Sequence, residues 1–248
     1  MLLNGALLAL LALATTASAH TTMSRVFVNG VDQGEGKNKY IRSPVNDGQV
    51  QLQLDKKNNT APFIACNSKG DIAVPQFVKA SPGDKLTFQW FREDPKEPVI
   101  DPSHKGPILT YIAPFFATGF GDGPIWSKIA EEGFVSPAWA TERMRNFTGG
   151  MVDFNLPKTL APGKYMVRQE LIPLHLADRR GDIEKTRGPE FYPSCVQFDV
   201  AGGSGTAVPN QNFDFNKGYK FTDPGFDFNI HIPFTTYPIP GPPIWDAK

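Results

Sequence analysis

Three stretches of the chain alternate apolar and polar residues with a period of two. They read QVQLQL at positions 49–54, KLTFQW at 85–90 and CVQFDV at 195–200. Alternation of this kind indicates β-strands with one face on a hydrophobic core and the other turned toward water or a loop. Several such strands favour an all-β protein built as an antiparallel β-sandwich.

Turn signals and a shortage of helical periodicity complete this pattern. Glycine and proline number 23 each, and they form turn motifs such as SPGDK, GFGDGP and APGKY between the strands. The segment WATERMRN at 139–146 is the best candidate for a short helix. We therefore expect long loops, little helix and one domain over residues 20–248, with no internal repeat and no linker to a second module. The Pro-rich tail at 237–248 is expected to be an ordered arm, with a flexible tail as the alternative.

Residues 1–19 have the pattern of a secretory signal peptide. The stretch MLLNGALLALLALATTASA has a Leu- and Ala-rich centre and ends in the small residues Ala17, Ser18 and Ala19, although it has no positively charged start. Its apolar run is short for a membrane span, which takes about 20 residues. A buried N-terminal helix is the alternative. We expect cleavage before His20 and a secreted, extracellular protein.

Charge and cysteine content narrow the class of protein further. The 25 basic and 25 acidic residues cancel to a formal net charge of +0, so neither nucleic acid nor an anionic membrane is expected as a partner. The two cysteines, Cys66 and Cys195, favour one long-range disulfide in an oxidising compartment, with two buried free thiols as the alternative. Sequons make Asn58 and Asn146 candidates for N-glycosylation.

The four histidines, His20, His104, His175 and His231, are candidates for metal binding. Any one of them alone is more often a hydrogen-bonded structural residue. Cleavage changes this for His20, because its freed α-amine and its imidazole could both bind one metal ion. With one further imidazole, three nitrogen donors in a plane suit tetragonal Cu(II) better than zinc, which prefers a tetrahedral site. Copper is therefore the predicted metal, and an axial tyrosine oxygen would leave one equatorial position open.

A series of longer motifs runs through almost the whole mature chain. They are HTT at the cleaved end, VNGVDQG, YIRSPVND, IACN, SPGDKLTFQW, SHKGPILTYIA, GDGPIWSKI, LAPGKYMVRQELIPLH, FYPSC, YKFTDPGFDFNI and YPIPGP. In these motifs and their order the sequence resembles a fungal lytic polysaccharide monooxygenase of auxiliary activity family 9, formerly classed among the glycoside hydrolases. The resemblance implies an immunoglobulin- or fibronectin-like β-sandwich that carries a copper site called a histidine brace.

The resemblance also implies which residues form this site. The copper ligands would be His20, through its amine and its ring, His104 in SHKGP, and Tyr192 in FYPSC as the axial residue. Cys66 and Cys195 match the usual disulfide pair of the family. That bridge would anchor the strand that carries Tyr192.

Beside the open copper position, the family has a histidine and a glutamine that form a hydrogen-bonding pair. His175 in PLHLA matches the histidine, but the second position is Glu190 in GPEFY. A carboxylate donates a hydrogen bond only when it is protonated. An ionised Glu190 would favour Cu(II) over Cu(I), whereas a Glu190 protonated through burial would act as a proton relay. In the long, charged loop between the two positions, Arg179, Arg180 or Arg187 could pair with Glu190, or the loop could simply be solvated.

The activity implied by the resemblance is oxidative cleavage of β-1,4-glucan chains at C1 and/or C4. Cellulose is the default substrate, with xyloglucan or another β-glucan as alternatives. An external reductant, either a small molecule or a protein, would supply electrons to copper, and O2 or H2O2 would be the co-substrate. Hydrolysis would instead need two carboxylates that flank the scissile bond, and no motif singles out such a pair.

Docking on a crystalline polysaccharide calls for aromatic side chains on a flat surface. Tyr237 matches a surface aromatic of the family, with core or edge packing as the alternative. Tyr40 and Trp245 are weaker surface candidates, for which core or edge packing is favoured. His231 is expected to have a structural or surface role. We expect a monomer with no appended carbohydrate-binding module. A second function stays open, that of a secreted brace protein that binds copper without cleaving polysaccharide, whereas a carbohydrate-binding sandwich without redox chemistry would leave the ligand set unexplained.

Overall fold

Two facing β-sheets make up the fold. The computed structural model describes residues 21–44, 50–51, 63–92 and 99–248. The signal peptide, His20, Leu52, Leu54 and Asn58 lie outside the described residues.

The two sheets differ in size. The first contains β1 (Thr22–Val28), β2 (Val31–Glu35), β6 (Lys85–Phe91) and β11 (Met151–Asn155), in the order β11-β6-β1-β2. The second contains β3 (Ile41–Arg42), β4 (Val50–Gln51), β5 (Val78–Ala80), β7 (Ile108–Pro114), β8 (Ser127–Glu132), β12 (Gly163–Leu171) and β13 (Glu190–Val200). Its main order is β3-β13-β12-β7-β8, and β4 and β5 also pair with β13, β5 in parallel. A separate hairpin joins β9 (Phe134–Val135) to β10 (Ala138–Trp139).

Apolar side chains from both sheets form the core between them. The first sheet contributes Val26, Leu86, Phe88 and Trp90, and the second contributes Ile112, Val167, Val196 and Phe198. The ring of Phe88 lies 4.9 Å from that of Phe154 and 6.2 Å from that of Phe198. Burial of one such side chain contributes about 1.5–3 kcal/mol. The antiparallel β-sandwich is therefore confirmed, as are the strands predicted from KLTFQW and CVQFDV, while QVQLQL is described only at Val50–Gln51.

Loops cover the outer face of the second sheet, so that its central strands are buried on both sides. The residues of this outer apolar layer include Tyr111, Trp126, Met166, Phe191 and Phe215. An alternating pattern alone predicts an outer face in contact with water, so this layer is the main addition of the structure to the predicted architecture.

The C-terminal tail is an ordered arm that packs against β8. Lys128 Nζ donates to Pro240 O at 2.7 Å, and the Trp245 backbone N–H donates to Lys128 O at 2.7 Å. Trp245 and Tyr40 are buried in the core, and the Tyr40 hydroxyl donates to Gly34 O. The favoured expectation that Tyr40 and Trp245 pack in the core is therefore confirmed, and their weaker candidacy as surface aromatics is wrong.

Helix is scarce in the described part of the chain. The stretch WATERMRN does supply α1 (Ala140–Phe147), at whose start the Glu142 carboxylate accepts the Trp139 N–H at 3.0 Å. A second helix, α2 (Phe215–Gly218), is a single turn. Asn146 is exposed in the last turn of α1, and its glycosylation stays a prediction. Among the described residues, none of the helices has the length and apolar character needed to cross a membrane.

One disulfide ties a loop to the second sheet. Cys66 and Cys195 are bonded, with their Cα atoms 5.4 Å apart and a separation of 129 positions in sequence. The predicted bridge is therefore confirmed, and it joins the loop before β5 to the middle of β13.

Candidate metal centre

Four polar side chains meet at one end of the second sheet. His104 precedes β7, His175 follows β12, and Glu190 and Tyr192 lie at the start of β13. Because β12 is antiparallel to both neighbours, its last residue, Leu171, pairs with the first residue of β7 and with Tyr192. The sheet topology therefore brings all four side chains to one edge.

The backbone after the first of these histidines is held against the backbone before the second. The Leu174 N–H donates to Lys105 O at 2.8 Å. A Cβ atom on Gly106 would lie only 1.9 Å from Ile172 O, so a larger residue would push the two segments apart. The glycine of SHKGP therefore allows the close approach that sets the two histidines side by side.

Three polar atoms form a triangle at the centre of this group. His104 Nε2 lies 3.2 Å from Tyr192 Oη and 3.3 Å from Glu190 Oε2, and Tyr192 Oη donates to Glu190 Oε2 at 2.8 Å. The imidazole of His175 stacks on that of His104 with a centroid distance of 4.3 Å. His175 Nε2 lies 3.7 Å from Glu190 Oε1. His104 and Tyr192 are buried, whereas the side chain of His175 is 17% exposed and forms the open edge of the group.

Burial and the neighbouring groups set the protonation of the site. Burial raises the pKa of Glu190, but its contacts with His104, Tyr192 and His175 outweigh this effect and hold that pKa below its usual value. Burial, together with the proximity of His104, lowers the pKa of His175. Burial and the charge of Glu190 raise the pKa of Tyr192. The site therefore favours an ionised Glu190, a neutral His175 and a protonated Tyr192 near neutral pH.

This donor set fits a divalent transition metal. His104, His175 and Glu190 each offer one ligand atom, and the three atoms lie within 4.8 Å of one another. Imidazole nitrogens suit copper, nickel, zinc or iron, whereas calcium and magnesium prefer sites made of oxygen atoms alone. When His104 Nε2 is unprotonated, its lone pair faces the oxygens of Tyr192 and Glu190. A cation bound between these atoms would offset the repulsion between their lone pairs. The residues present therefore fit a copper ion.

The first described residues reach the same end of the fold. Thr22 pairs with Phe91 at the end of β6, and Thr21 Oγ1 donates to Phe91 O at 3.2 Å. Thr21 and Thr22 also line a small recess together with Tyr192. The chain thus enters the described structure beside Tyr192, directly after His20.

His231 and Tyr237 lie in the long segment after β13. His231 is exposed, and its Nε2 donates to His175 O at 3.0 Å, which agrees with the expected structural or surface role. Tyr237 is half-buried, because its hydroxyl donates to Gly225 O at 2.8 Å and its ring centroid lies 4.8 Å from that of Trp139. Contact between Tyr237 and a polysaccharide stays a prediction.

The charged loop between His175 and Glu190 forms ion pairs within itself. The pairs are Arg187 with Asp178 at 2.6 Å, Arg180 with Asp182 at 2.6 Å, and Arg179 with Glu184 at 3.7 Å. These contacts favour the solvated loop over the alternative in which one arginine pairs with Glu190.

Two polar contacts near the site did not follow from the sequence pattern. Ser103 Oγ lies 3.1 Å from His104 Nδ1, and Trp90 Nε1 donates to Gln169 Oε1 at 2.8 Å. The first has a recognisable signal, since a serine directly before a ligand histidine is placed to reach its ring. The second has none, because Trp90 fits the alternating pattern of a core residue.

Comparisons with known sequences and structures agree with one another. A family model described as Auxiliary Activity family 9, formerly GH61, matches residues 20–237. The "AA9 family lytic polysaccharide monooxygenase A" of Collariella virescens is 54% identical over 248 residues, which is 99% of this chain and 87% of that relative. A relative of the same name from Aspergillus clavatus is 38% identical over 245 residues, which is 97% of this chain and 65% of that relative.

Solved structures extend this similarity to the fold. The structure named CvAA9A is 53% identical with a TM-score of 0.86, and the match covers 92% of this chain and 99% of that one. A structure described as a cellulose-active polysaccharide monooxygenase from M. thermophila is 28% identical with a TM-score of 0.64, over 92% of this chain and 100% of that one. Sequence and fold therefore match over nearly the whole chain.

Proposed function

Because this chain belongs to auxiliary activity family 9 and is a copper-dependent lytic polysaccharide monooxygenase, we propose that His20, His104 and Tyr192 hold its copper ion. The observation that carries this proposal is the 3.2 Å separation of His104 Nε2 and Tyr192 Oη at a buried end of the second sheet. An enzyme of this family uses an external reductant together with O2 or H2O2.

The approach of the N-terminal strand supports the place of His20 in this ligand set. Thr21 and Thr22 share a recess with Tyr192, so the described chain begins at the wall of the site. Cleavage before His20 would free an α-amine whose ordinary pKa, about 7.7–8.0, is low enough for it to bind a metal near neutral pH. Amine and imidazole of one residue would then supply two nitrogens, and His104 would supply the third.

The side chains around the metal have separate tasks. Bound copper supplies the redox chemistry that activates O2 or H2O2. Glu190 Oε2 accepts the proton of the Tyr192 hydroxyl, which would leave an oxygen lone pair of Tyr192 free to bind the metal. The lowered pKa of Glu190 favours its ionised form over a proton relay, and a negative charge beside the metal stabilises Cu(II) relative to Cu(I). Neutral His175, at the open edge, is placed to donate or accept a hydrogen bond beside the copper position.

We infer that the substrate is a β-1,4-glucan such as cellulose, which is cleaved oxidatively at C1 and/or C4. Action on a polysaccharide with an electron donor is common to the family. The choice of cellulose is supported by the solved relative described as cellulose-active. The single sandwich, the disulfide and the signal-peptide pattern support a secreted domain over residues 20–248, and the monomeric state stays a prediction.

The ligand assignment is tested on the secreted protein. N-terminal sequencing should find His20 as the first residue. Copper titration should give one tight site, and His104→Ala should weaken it more than about 100-fold, because loss of a mere hydrogen-bond partner of a ligand already costs about 10–100-fold. A mature N-terminus anywhere else would remove the proposed ligand set.

The activity is tested with the copper-loaded protein, ascorbate and H2O2 on cellulose and a panel of other β-glucans. Mass spectrometry should detect oxidised oligosaccharides with the wild type and none with His104→Ala. Tight copper binding without oxidised product on any β-glucan would overturn the polysaccharide assignment in favour of a copper-binding role alone.

A further inference from the structure

The second ring nitrogen of His104 faces a serine and a carboxylate. Ser103 Oγ lies 3.1 Å from His104 Nδ1 and donates its proton to Asp101 Oδ1 at 2.7 Å. The same carboxylate oxygen accepts the Ser103 N–H at 2.8 Å, and the His104 N–H donates to Asp101 O at 2.9 Å. This tight turn brings a carboxylate, a hydroxyl and the imidazole together, with Asp101 Oδ1 3.9 Å from His104 Nδ1.

The direction of these hydrogen bonds fixes where the imidazole carries its proton. A serine hydroxyl has one proton and two acceptor lone pairs. Since the proton of Ser103 goes to Asp101, its oxygen meets Nδ1 as an acceptor, and Nδ1 has to be the donor. A neutral imidazole with its proton on Nδ1 has its lone pair on Nε2, which is the nitrogen that faces Tyr192.

A second carboxylate acts on the opposite side of the ring. Glu190 Oε2 lies 3.3 Å from His104 Nε2 and would accept a hydrogen bond from this nitrogen if it carried the proton. With the proton on Nε2, the imidazole has no lone pair for a metal at that nitrogen. The Ser103–Asp101 pair favours the proton on Nδ1, against the effect of Glu190, and so keeps the lone pair of Nε2 available.

We propose that Ser103 and Asp101 are positioning residues that hold His104 in the tautomer and ring orientation that bind copper through Nε2. This inference rests on the proposed ligand role of His104. Metal-bound histidines usually donate their other N–H to such a partner, and its loss costs about 10–100-fold in metal affinity. Ser103 is exposed, so water can replace part of its contact, and we expect a loss near the lower end, about tenfold.

Paired variants separate the hydrogen bond from the shape of the turn. Ser103→Ala removes the hydroxyl, whereas Ser103→Thr keeps it; Asp101→Ala removes the carboxyl group, whereas Asp101→Asn keeps an acceptor oxygen. For each variant we would measure the copper dissociation constant by competition with a chelator, the electron paramagnetic resonance spectrum of the Cu(II) form, and the thermal midpoint without copper. Ser103→Ala should bind copper about tenfold more weakly with a changed hyperfine coupling, whereas Ser103→Thr should stay within about twofold of the wild type.

The outcomes distinguish this inference from the proposed function. If Ser103→Ala keeps the wild-type affinity and spectrum, or if Ser103→Thr loses as much as Ser103→Ala, the positioning role is overturned while His104 remains a ligand. If His104→Ala binds copper as tightly as the wild type, the ligand assignment itself fails, and the positioning role fails with it. Rescue by both conservative variants at an unchanged thermal midpoint would support the inference.

Discussion

Two tyrosine–carboxylate pairs lie on or against neighbouring strands of the second sheet, and they serve different ends. At the metal centre Tyr192 donates to Glu190 at 2.8 Å, and in the covered outer layer Tyr219 donates to Glu170 at 2.5 Å. Both carboxylates are buried, so each needs a partner that offsets the cost of removing a charge from water. The difference lies in what that partner is.

In the outer layer the partner is a guanidinium group. Both Nη atoms of Arg168 lie 2.7 Å from carboxylate oxygens of Glu170, and its Nε and Nη2 also donate to Ala65 O and Ile64 O. The guanidinium carbon lies 3.9 Å from the centre of the Phe215 ring. A permanently charged, fully enclosed cation of this kind has no proton to release and no space to admit a ligand.

At the metal centre the partners are imidazoles. His104 Nε2 and His175 Nε2 lie 3.3 and 3.7 Å from Glu190, and the group is open at His175. An imidazole can release a proton and bind a metal with the same nitrogen. The comparison teaches that the basic group beside a buried carboxylate, more than the burial itself, separates a structural pair from a chemical one.

The largest effect should come from removing the guanidinium. Arg168→Met leaves Glu170 buried without its cation, and breaking such a pair costs about 3–5 kcal/mol of the free energy of unfolding. Urea unfolding of the copper-free protein measures this loss. The copper dissociation constant of the folded variant should stay within about twofold of the wild type, because Arg168 contacts no group of the metal centre that the structure describes.

A double variant controls for the loss of arginine packing. Arg168→Met with Glu170→Gln removes the charge as well as its partner, while the amide oxygen still accepts from Tyr219. It should recover part of the lost stability. A single variant within about 1 kcal/mol of the wild type would show that the outer pair does not stabilise the fold as described.

Removal of the disulfide should have the second-largest effect, and this effect should fall on the stability of the covered outer layer. Cys66 directly follows Ala65, whose carbonyl accepts from Arg168, while Cys195 lies three residues after Tyr192. Replacing both cysteines by alanine should lower the free energy of unfolding by about 2–4 kcal/mol. Unfolding and copper titration should be measured together. A large loss of copper affinity at nearly unchanged stability would instead show that the disulfide mainly positions Tyr192.

The sequence predicts the sandwich and the cluster more readily than the difference between the two pairs. Strands such as β6 follow from alternation, and the histidines follow from their motifs. In β12, however, Arg168 and Glu170 occupy the outward positions of an alternating strand and look like surface residues. They are buried because loops distant in sequence cover the outer face, and single-strand periodicity carries no information about such a layer.

The third effect should appear in the redox potential. Glu190→Gln removes a negative charge beside the copper position, so the potential of the Cu(II)/Cu(I) couple should rise, by about 60 mV for a tenfold change in relative affinity. Redox titration of the copper-loaded protein measures it. Glu170→Gln is the matched control, because it should lower stability and leave the potential unchanged. Equal potentials in Glu190→Gln and the wild type would rule out the charge effect.

The smallest of the four effects should be the loss of stability in acid, which we expect at the metal centre and not at the Arg168–Glu170 pair. In the folded protein the pKa values of His175 and Glu190 are both lowered. Such groups add stability that is fully present above the unfolded pKa and is lost as the pH falls through the folded pKa. Stability of the copper-free protein should therefore decline below about pH 6.5 through His175 and further below about pH 4.3 through Glu190. Burial opposes the charge of Arg168, but Glu170 raises its pKa, so that cation persists throughout.

Thermal midpoints of the copper-free protein across this pH range test whether the two declines in stability come from His175 and Glu190. His175→Asn should flatten the decline that starts near pH 6.5, about the ordinary pKa of histidine, and Glu190→Gln the decline that starts near pH 4.3. If both declines in stability are unchanged in these variants, neither group has a lowered pKa in the folded state. In that case the lowered pKa values would be wrong, and an ionised Glu190 beside the metal would lose its physical basis.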